Sequence, residues 1–390
     1  MKICLVNALF RPFAGGIEKH MYELSRGLAD LGVDVTVVTG RINDLPEGED
    51  MDGIRVRRVP CWAIKAPFFY PPPLVLSPGF PFHLKKIDDH ENFDLFHLHN
   101  RFFIDFNLAL LYARLKRKPF VMTAHNPRPK HVASPLGALG TSYDWLVGRW
   151  TFVLADRVIA VSDWAKQDIA KYGVDKEKIE TIHNGVNVGE FKPLGGENKH
   201  DGHGPMLLFV GRMVRQKGIP YLIEAMPLVL KRHPDARLLL IGRGSALESL
   251  KKKARAMGLD GSVVFSGYME EDELKEAYGA CDVFALPSTV EPFGIVIVEA
   301  MASGKPVVCT DSGGVKEIVA DGVNGFIVPP GDPGALAARI CQLLSDEGLR
   351  GRMGKAGRGI AEAKFDWKAI AVKTKRLYEE VLAGHGRRYP

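Results

Sequence analysis

Residues 207–218 read LLFVGRMVRQKG. The unbroken apolar run Leu207–Val210 stops at a glycine and opens into a loop carrying Arg212 and Lys217. An apolar run this short, closed by a turn residue, reads as a strand covered on both faces. A helical pattern follows at Tyr221–Arg232, and the next strand is ARLLLIG (236–242). The alternation continues through SVVFSG (262–267), DVFALP (282–287), PVVCT (306–310) and GFIVP (325–329), with helical segments such as Ser245–Met257 between them. Apolar strands separated by helices predict a parallel sheet with helices on both faces.

The same alternation runs earlier in the chain. KICLVNALF (2–10) leads through a Gly-Gly loop into a helix from Gly16 to about Leu31, with Ile17, Met21, Leu24 and Leu28 at helical spacing. Strands follow at DVTVVT (34–39), GIRVRRV (53–59), DLFHLH (94–99), PFVMTA (119–124), RVIAVS (157–162) and IETIHN (179–184), with helical patterns at Phe103–Lys118 and Trp164–Tyr172. The stretch PLGGENKHDGHGP (193–205) has no apolar periodicity and is the natural linker. The expected plan is an N-terminal domain over 1–192, a linker over 193–205 and a second domain over 206–365. A last helix from about Trp367 to Ala383, within 366–390, packs back on the first domain. Ligands of such sheets bind at the C-terminal strand ends, here in a cleft between the domains. The Pro-rich and aromatic stretch 60–84 interrupts the pattern, and its prolines predict no regular structure there.

Composition bounds the function. The chain has 390 residues, 46% hydrophobic and 25% charged, which excludes a disordered or collagen-like protein. No apolar run approaches the roughly 18 residues of a membrane span. Met1–Phe10 reads as a buried strand rather than an export signal, because Asn7 interrupts it and Arg11 follows. The five cysteines are odd in number and unpaired in spacing, which argues against a disulfide framework or zinc site and for a reducing, cytoplasmic location. The net charge of +6 admits anionic partners but is small for a nucleic-acid binder, so no nucleic acid is expected.

Three loops at strand ends hold the candidate chemistry. Gly15 and Gly16 precede a helix, where bare backbone amides suit an anion. Arg212 and Lys217 supply two cations suited to a diphosphate. EPFGIVIVEAMA (291–302) puts Glu291 and Gly294 before an apolar helix, with Glu299 inside it, where a carboxylate needs a partner. His125 lies just past a strand end, and His97 and His99 share one strand face. That pair is read as structural or cleft-lining, with no metal expected. Asp50-Met51-Asp52 lies before a strand and is read as a solvated turn.

Together these stretches resemble the retaining glycosyltransferases of GT-B fold, the large family of glycogen synthases, sucrose synthases and bacterial mannosyltransferases. The resemblance covers nearly the whole chain except 60–84. It is carried by Gly15-Gly16, HNGVN (183–187), Arg212 through Lys217-Gly218, and Glu291-Pro292-Phe293-Gly294 through Glu299. It implies an α/β GT-B fold of two Rossmann-like doubly wound domains facing a cleft. It also implies a UDP- or GDP-sugar co-substrate, no tightly bound cofactor, no metal, and a hexose, mannose or glucose, transferred with retention. By resemblance Arg212 and Lys217 hold the donor diphosphate, Glu299 the ribose hydroxyls and Glu291 the donor sugar. Phe293, Gly294 and Ile295 lend backbone amides, and Tyr268 falls where the nucleotide base is met. Gly16, with Gly15, approaches the diphosphate from the first domain, and His125 contacts the donor sugar near the reacting carbon. Asn184 and Gly185 are structural or hinge-like.

The acceptor is less determined. The aromatics of 60–84, Lys85 and Lys86, and RLKRK (114–118) suit an anionic bilayer surface. They suggest a lipid-linked or membrane-proximal acceptor glycan and contact with the inner face of the membrane through 60–86 and 114–118. A nucleotide-sugar 2-epimerase of the same fold and a non-catalytic bilobed sugar-binding protein are the competing readings. Turnover with and without acceptor separates the first. Binding that survives Glu291→Ala and Lys217→Ala separates the second.

Overall fold

The computed structural model describes residues 1–13, 15–64, 73–126, 140–194 and 204–388. The chain forms two compact units, one of Met1–Asn184 with Trp367–Pro390 and one of Gly185–Asp366.

Unit 1 contains β1 (Lys2–Val6), α1 (Gly16–Asp30), β2 (Asp34–Arg41), β3 (Gly48–Met51), β4 (Ile54–Pro60), β5 (Trp62–Ile64) and β6 (Leu74–Leu76). Then come α2 (Phe80–Glu91), β7 (Leu95–Leu98), α3 (Ile104–Leu115), β8 (Phe120–Ala124), α4 (Arg149–Val153), β9 (Arg157–Ala160), α5 (Asp163–Ala170) and β10 (Ile179–Thr181). Its main sheet has the order β10-β9-β8-β7-β1-β2-β4-β3, parallel except for the edge pair β3–β4. Strands β7 and β8 are buried end to end, as the covering of both sheet faces requires.

Unit 2 repeats the scheme with β11 (Met206–Val210), α6 (Ile219–Leu230), β12 (Arg237–Ile241), α7 (Leu247–Ala256), β13 (Val263–Gly267), α8 (Glu271–Ala280) and β14 (Val283–Leu286). It continues with α9 (Ile295–Ala302), β15 (Val307–Thr310), β16 (Gly325–Val328), α10 (Pro333–Ser345) and α11 (Glu347–Lys364). The order is β13-β12-β11-β14-β15-β16, all parallel. It reverses direction between β11 and β14. That reversal leaves an open crevice beyond the carboxyl ends of those two strands, where ligands of such sheets bind.

The final helix, α12 (Trp367–Arg388), belongs to unit 1. Trp367, Ile370, Leu377, Tyr378 and Val381 join Met21, Leu24 and Leu28 of α1 in one buried cluster. The two helices approach so closely that a methyl on Gly27 would fall 2.7 Å from Ala371 Cβ. At the start of unit 2, Phe191 packs edge-on against Tyr278, and Leu194 fills the space beside Gly279. The expected linker 193–205 is thus docked on unit 2 at its first residues; 195–203 lie outside the described residues.

The expectation for 60–84 fails in part. Trp62–Ile64 and Leu74–Leu76 form a short antiparallel pair. Helix α2 starts at Phe80 with Pro81 in its first turn, where a missing N–H breaks no helical bond. Residues 65–72 lie outside the described residues. The Asp50–Asp52 turn is half strand: Asp50 lies in β3, exposed and 3.7 Å from Arg57, and Asp52 accepts from Tyr22.

Candidate functional site

The loops leaving β11 and β14 meet at the crevice of unit 2. Lys217, after β11, donates to Glu291 Oε2, after β14, at 2.6 Å. Glu291 is buried and also accepts from Ser288 Oγ at 3.2 Å. The ammonium has three N–H donors, so one bond to Glu291 leaves two for an anionic ligand. The geometry of the Lys217 turn depends on Gly218. Its φ is +63°, and a Cβ there would lie 1.9 Å from Pro287 O, so the loop seats directly on the end of β14. Arg212, on the same loop, is exposed.

Gly294 caps α9 in the left-handed region, φ +102°. Its helix then begins with Ile295, and the first amides of such a helix have no intrahelical acceptor. They lie in the loop that carries Glu291, so a cation and a helix N-terminus share one rim of the crevice. Phe293 is buried, with its ring 5.7 Å from Phe365. Glu299, four residues into α9, is buried and accepts from Tyr278 Oη at 2.7 Å. That bond meets the need for a partner that its apolar helix imposes. Tyr268 lies just past β13, exposed, with the Arg243 guanidinium 5.5 Å above its ring.

In unit 1 the corresponding strand ends hold a group of histidines. His97 lies on β7, bonded at Nδ1 to Tyr378 Oη and at Nε2 to Thr123 Oγ1, both at 2.6 Å. His99 follows the same strand, its ring 4.1 Å from that of His97. β8 lies beside β7, which brings His125 to 3.2 Å from His99, Nε2 to Nδ1. His20, on α1, packs edge-on against His125 at 4.5 Å and against Trp367 at 5.1 Å. Burial holds His97, His99 and His125 well below the usual imidazole range, and neighbouring imidazoles add to the effect. Burial also takes His20 down to about 4, against a smaller opposing pull from the Asn184 side chain. All four rings are therefore neutral near pH 7. Among the described residues, no group lies in good hydrogen-bonding geometry to either ring nitrogen of His20, the Asn184 side chain included, nor to His99 Nε2.

The expectation of no metal meets a specific grouping here. One nitrogen from each of His20, His99 and His125 lies within 4.8 Å of the others, a set able to hold an ion. Gly15 and Gly16 are exposed at the start of α1, with Gly15 as the cap residue. A carboxylate already occupies that first turn: a methyl on Gly15 would meet Glu18 Oε2 at 2.2 Å.

Residues 14–190 match the family described as Glycosyltransferase Family 4, and residues 194–360 match Glycosyl transferases group 1. An uncharacterized glycosyltransferase of Methanocaldococcus jannaschii is 32% identical, covering 99% of this chain and 100% of the relative. The chain belongs to the group 1 glycosyltransferases. A phosphatidyl-myo-inositol mannosyltransferase of Mycobacterium tuberculosis is also 32% identical, over 99% of this chain and 98% of that one. Among solved structures, a sucrose-phosphate synthase from Thermosynechococcus elongatus superposes with a TM-score of 0.81 at 27% identity, covering 98% and 99% of the two chains. The architecture is the GT-B fold.

Within this glycosyltransferase, sequence reading identified Lys217 and Glu291 separately and the structure joins them. It did not identify His20. The signal was present: His20 stands three residues after Ile17 and four before Leu24, on the apolar stripe of α1. Nor did it link His99 to His125, a contact created by strand order rather than spacing.

Proposed function

We propose that this glycosyltransferase moves a hexose from a UDP- or GDP-sugar to an acceptor hydroxyl with retention of configuration and without a metal ion. The observation that supports this reading most is the Lys217–Glu291 pair beside the N-terminus of α9, at the switch point of the unit 2 sheet. Cleavage of the anomeric C–O bond leaves negative charge on the departing diphosphate. Lys217, Arg212 and the amides of Phe293, Gly294 and Ile295 are the groups proposed to meet that charge. Glu291 is assigned to the sugar hydroxyls, Glu299 to the ribose and Tyr268 to the base. From unit 1, Gly15 and Gly16 are assigned to the diphosphate and His125 to the donor sugar. The acceptor oxygen bonds to the anomeric carbon on the face the diphosphate leaves. The acceptor's proton passes to the departing phosphate oxygen, so no base or enzyme nucleophile is required.

The acceptor is proposed to be lipid-linked or membrane-proximal, with a cytoplasmic enzyme resting on the membrane through 60–86 and 114–118. Trp62, Ile64 and Phe82 are exposed, whereas Phe80 is buried in the core. No helix among the described residues is long and apolar enough to cross a membrane.

A thermal-shift panel of UDP, GDP, ADP and their sugars tests the donor reading. One base series should raise Tm, and failure of all three would overturn the donor site. Turnover should survive dialysis against EDTA. Loss of activity that a divalent ion restores would instead assign His20, His99 and His125 as a metal centre.

A further inference from the structure

Helix α3 buries Phe106, Ala109, Tyr112 and Ala113, and turns Leu108, Leu111 and Leu115 outward at positions i, i+3 and i+7. Leu111 is 57% and Leu115 75% exposed. Beside it runs the helical stretch Asp144–Val153, a π-helical turn followed by α4. The two are tied at one end by Asn107 Nδ2 donating to Tyr143 Oη at 2.9 Å, and at the other by the Arg114 guanidinium donating to Leu154 O. This second stretch exposes Trp145 at 56% and Leu146 at 73%, with Trp150 and Leu154 also exposed. Tied at both ends, the two stretches together present two indoles, Trp145 and Trp150, and Leu108, Leu111, Leu115, Leu146 and Leu154 to solvent. Strips of this kind on soluble proteins mark interaction sites.

The outward charge carried by the two stretches themselves is basic. Lys116 and Arg117 are exposed at the end of α3, and the Arg149 guanidinium lies 4.6 Å from the Trp145 ring and 4.5 Å from that of Trp150. The acidic residues of these segments are all engaged inward. Asp144 is buried against Arg101, Asp105 accepts from Ser77 N, and Asp156 accepts from Phe120 N. Leucines and indoles framed by lysine and arginine, with no outward carboxylate on either stretch, match an anionic bilayer: rings and leucines enter the interface while cations meet lipid phosphates.

We propose that α3 and Asp144–Leu154 form the surface by which this enzyme docks on an anionic membrane. This deepens the membrane-proximal acceptor reading and moves the apolar part of the contact from 60–84 to Trp145, Leu146 and Trp150.

The test is flotation of the full chain with vesicles of phosphatidylcholine, with and without phosphatidylglycerol. Binding should need the anionic lipid and weaken with salt. Leu111→Glu with Trp150→Glu should lower the membrane partition coefficient about tenfold, the equivalent of ~1.4 kcal/mol. Lys116→Glu with Arg117→Glu, which leaves the apolar strip intact, should also lower it and flatten the salt dependence. Nucleotide-induced thermal shift should be unchanged in both, so failure of the donor reading and failure of this one register separately. No binding at low salt, or wild-type binding by both double variants, overturns the proposal. So does a wild-type dimer that Leu111→Glu dissociates, since a second copy would then cover the strip.

Discussion

Lys217→Ala is expected to lower kcat/KM for sugar transfer by about 10²–10³-fold, some 3–4 kcal/mol of transition-state stabilisation. The size follows from where the ammonium sits. Lys217 is half-buried, pinned by a 2.6 Å bond to a carboxylate that is itself buried, and its turn is seated on Pro287 through Gly218. A cation held this way pays little reorganisation when charge appears on the leaving diphosphate. Most of the loss should fall in kcat, because the charge to be met is larger in the transition state than in the bound donor. Glu291→Gln keeps the shape but removes the anchor's charge, and should reduce rate less than Lys217→Ala. Lys217→Arg should rescue poorly, because a longer planar fork does not fit a turn fixed by Gly218. Steady-state kinetics with saturating acceptor decide the matter. Wild-type kcat/KM in Lys217→Ala would remove Lys217 from the chemistry and leave the pair as a structural tie between two loops.

That pair also shows which parts of the site could be read from the chain. Lys217 and Glu291 stand 74 residues apart, and each was visible as a charged residue in a strand-end loop. Their meeting follows from strand order alone: β14 adds next to β11 rather than beyond β13, and no local spacing records that. The strands were legible because parallel strands buried on both faces are written as continuous apolar runs, such as FVMTA and VFAL. Strand β3 was missed for the converse reason. GEDM sits at a sheet edge with alternate residues in solvent, so it carries no apolar signal. Helix α2 was hidden by the prolines before it, although Pro81 stands where a helix tolerates one. The bond between His97 and Tyr378 spans 281 residues: the return of the last helix to the first domain was expected, but its place beside α1, on which this bond depends, was not.

The histidine group carries the second large effect: unit 1 should lose stability as pH falls from about 6.5 toward 4. His20 titrates near 6.5 in an unfolded chain and at about 4 when folded. Across that window the unfolded chain binds more protons, so the stability of the folded state declines as pH drops and stops declining below the folded value. For His20 alone the difference is about 3 kcal/mol. His97, His99 and His125 shift in the same direction and add to it, with the same sign at every step. Their contributions are not independent, because a proton on one imidazole raises the cost of a proton on the next. The measurement has a convenient reporter. All five tryptophans, Trp62, Trp145, Trp150, Trp164 and Trp367, belong to unit 1, so tryptophan emission follows that unit alone. Urea midpoints read from emission should fall steadily between pH 7 and pH 5. His20→Leu, which keeps the site apolar and removes one titrating group, should flatten the slope whatever it does to stability at pH 7. A midpoint unchanged from pH 7 to pH 5, or an unaltered slope in His20→Leu, would mean that the imidazoles do not enter unit 1 as neutral buried groups.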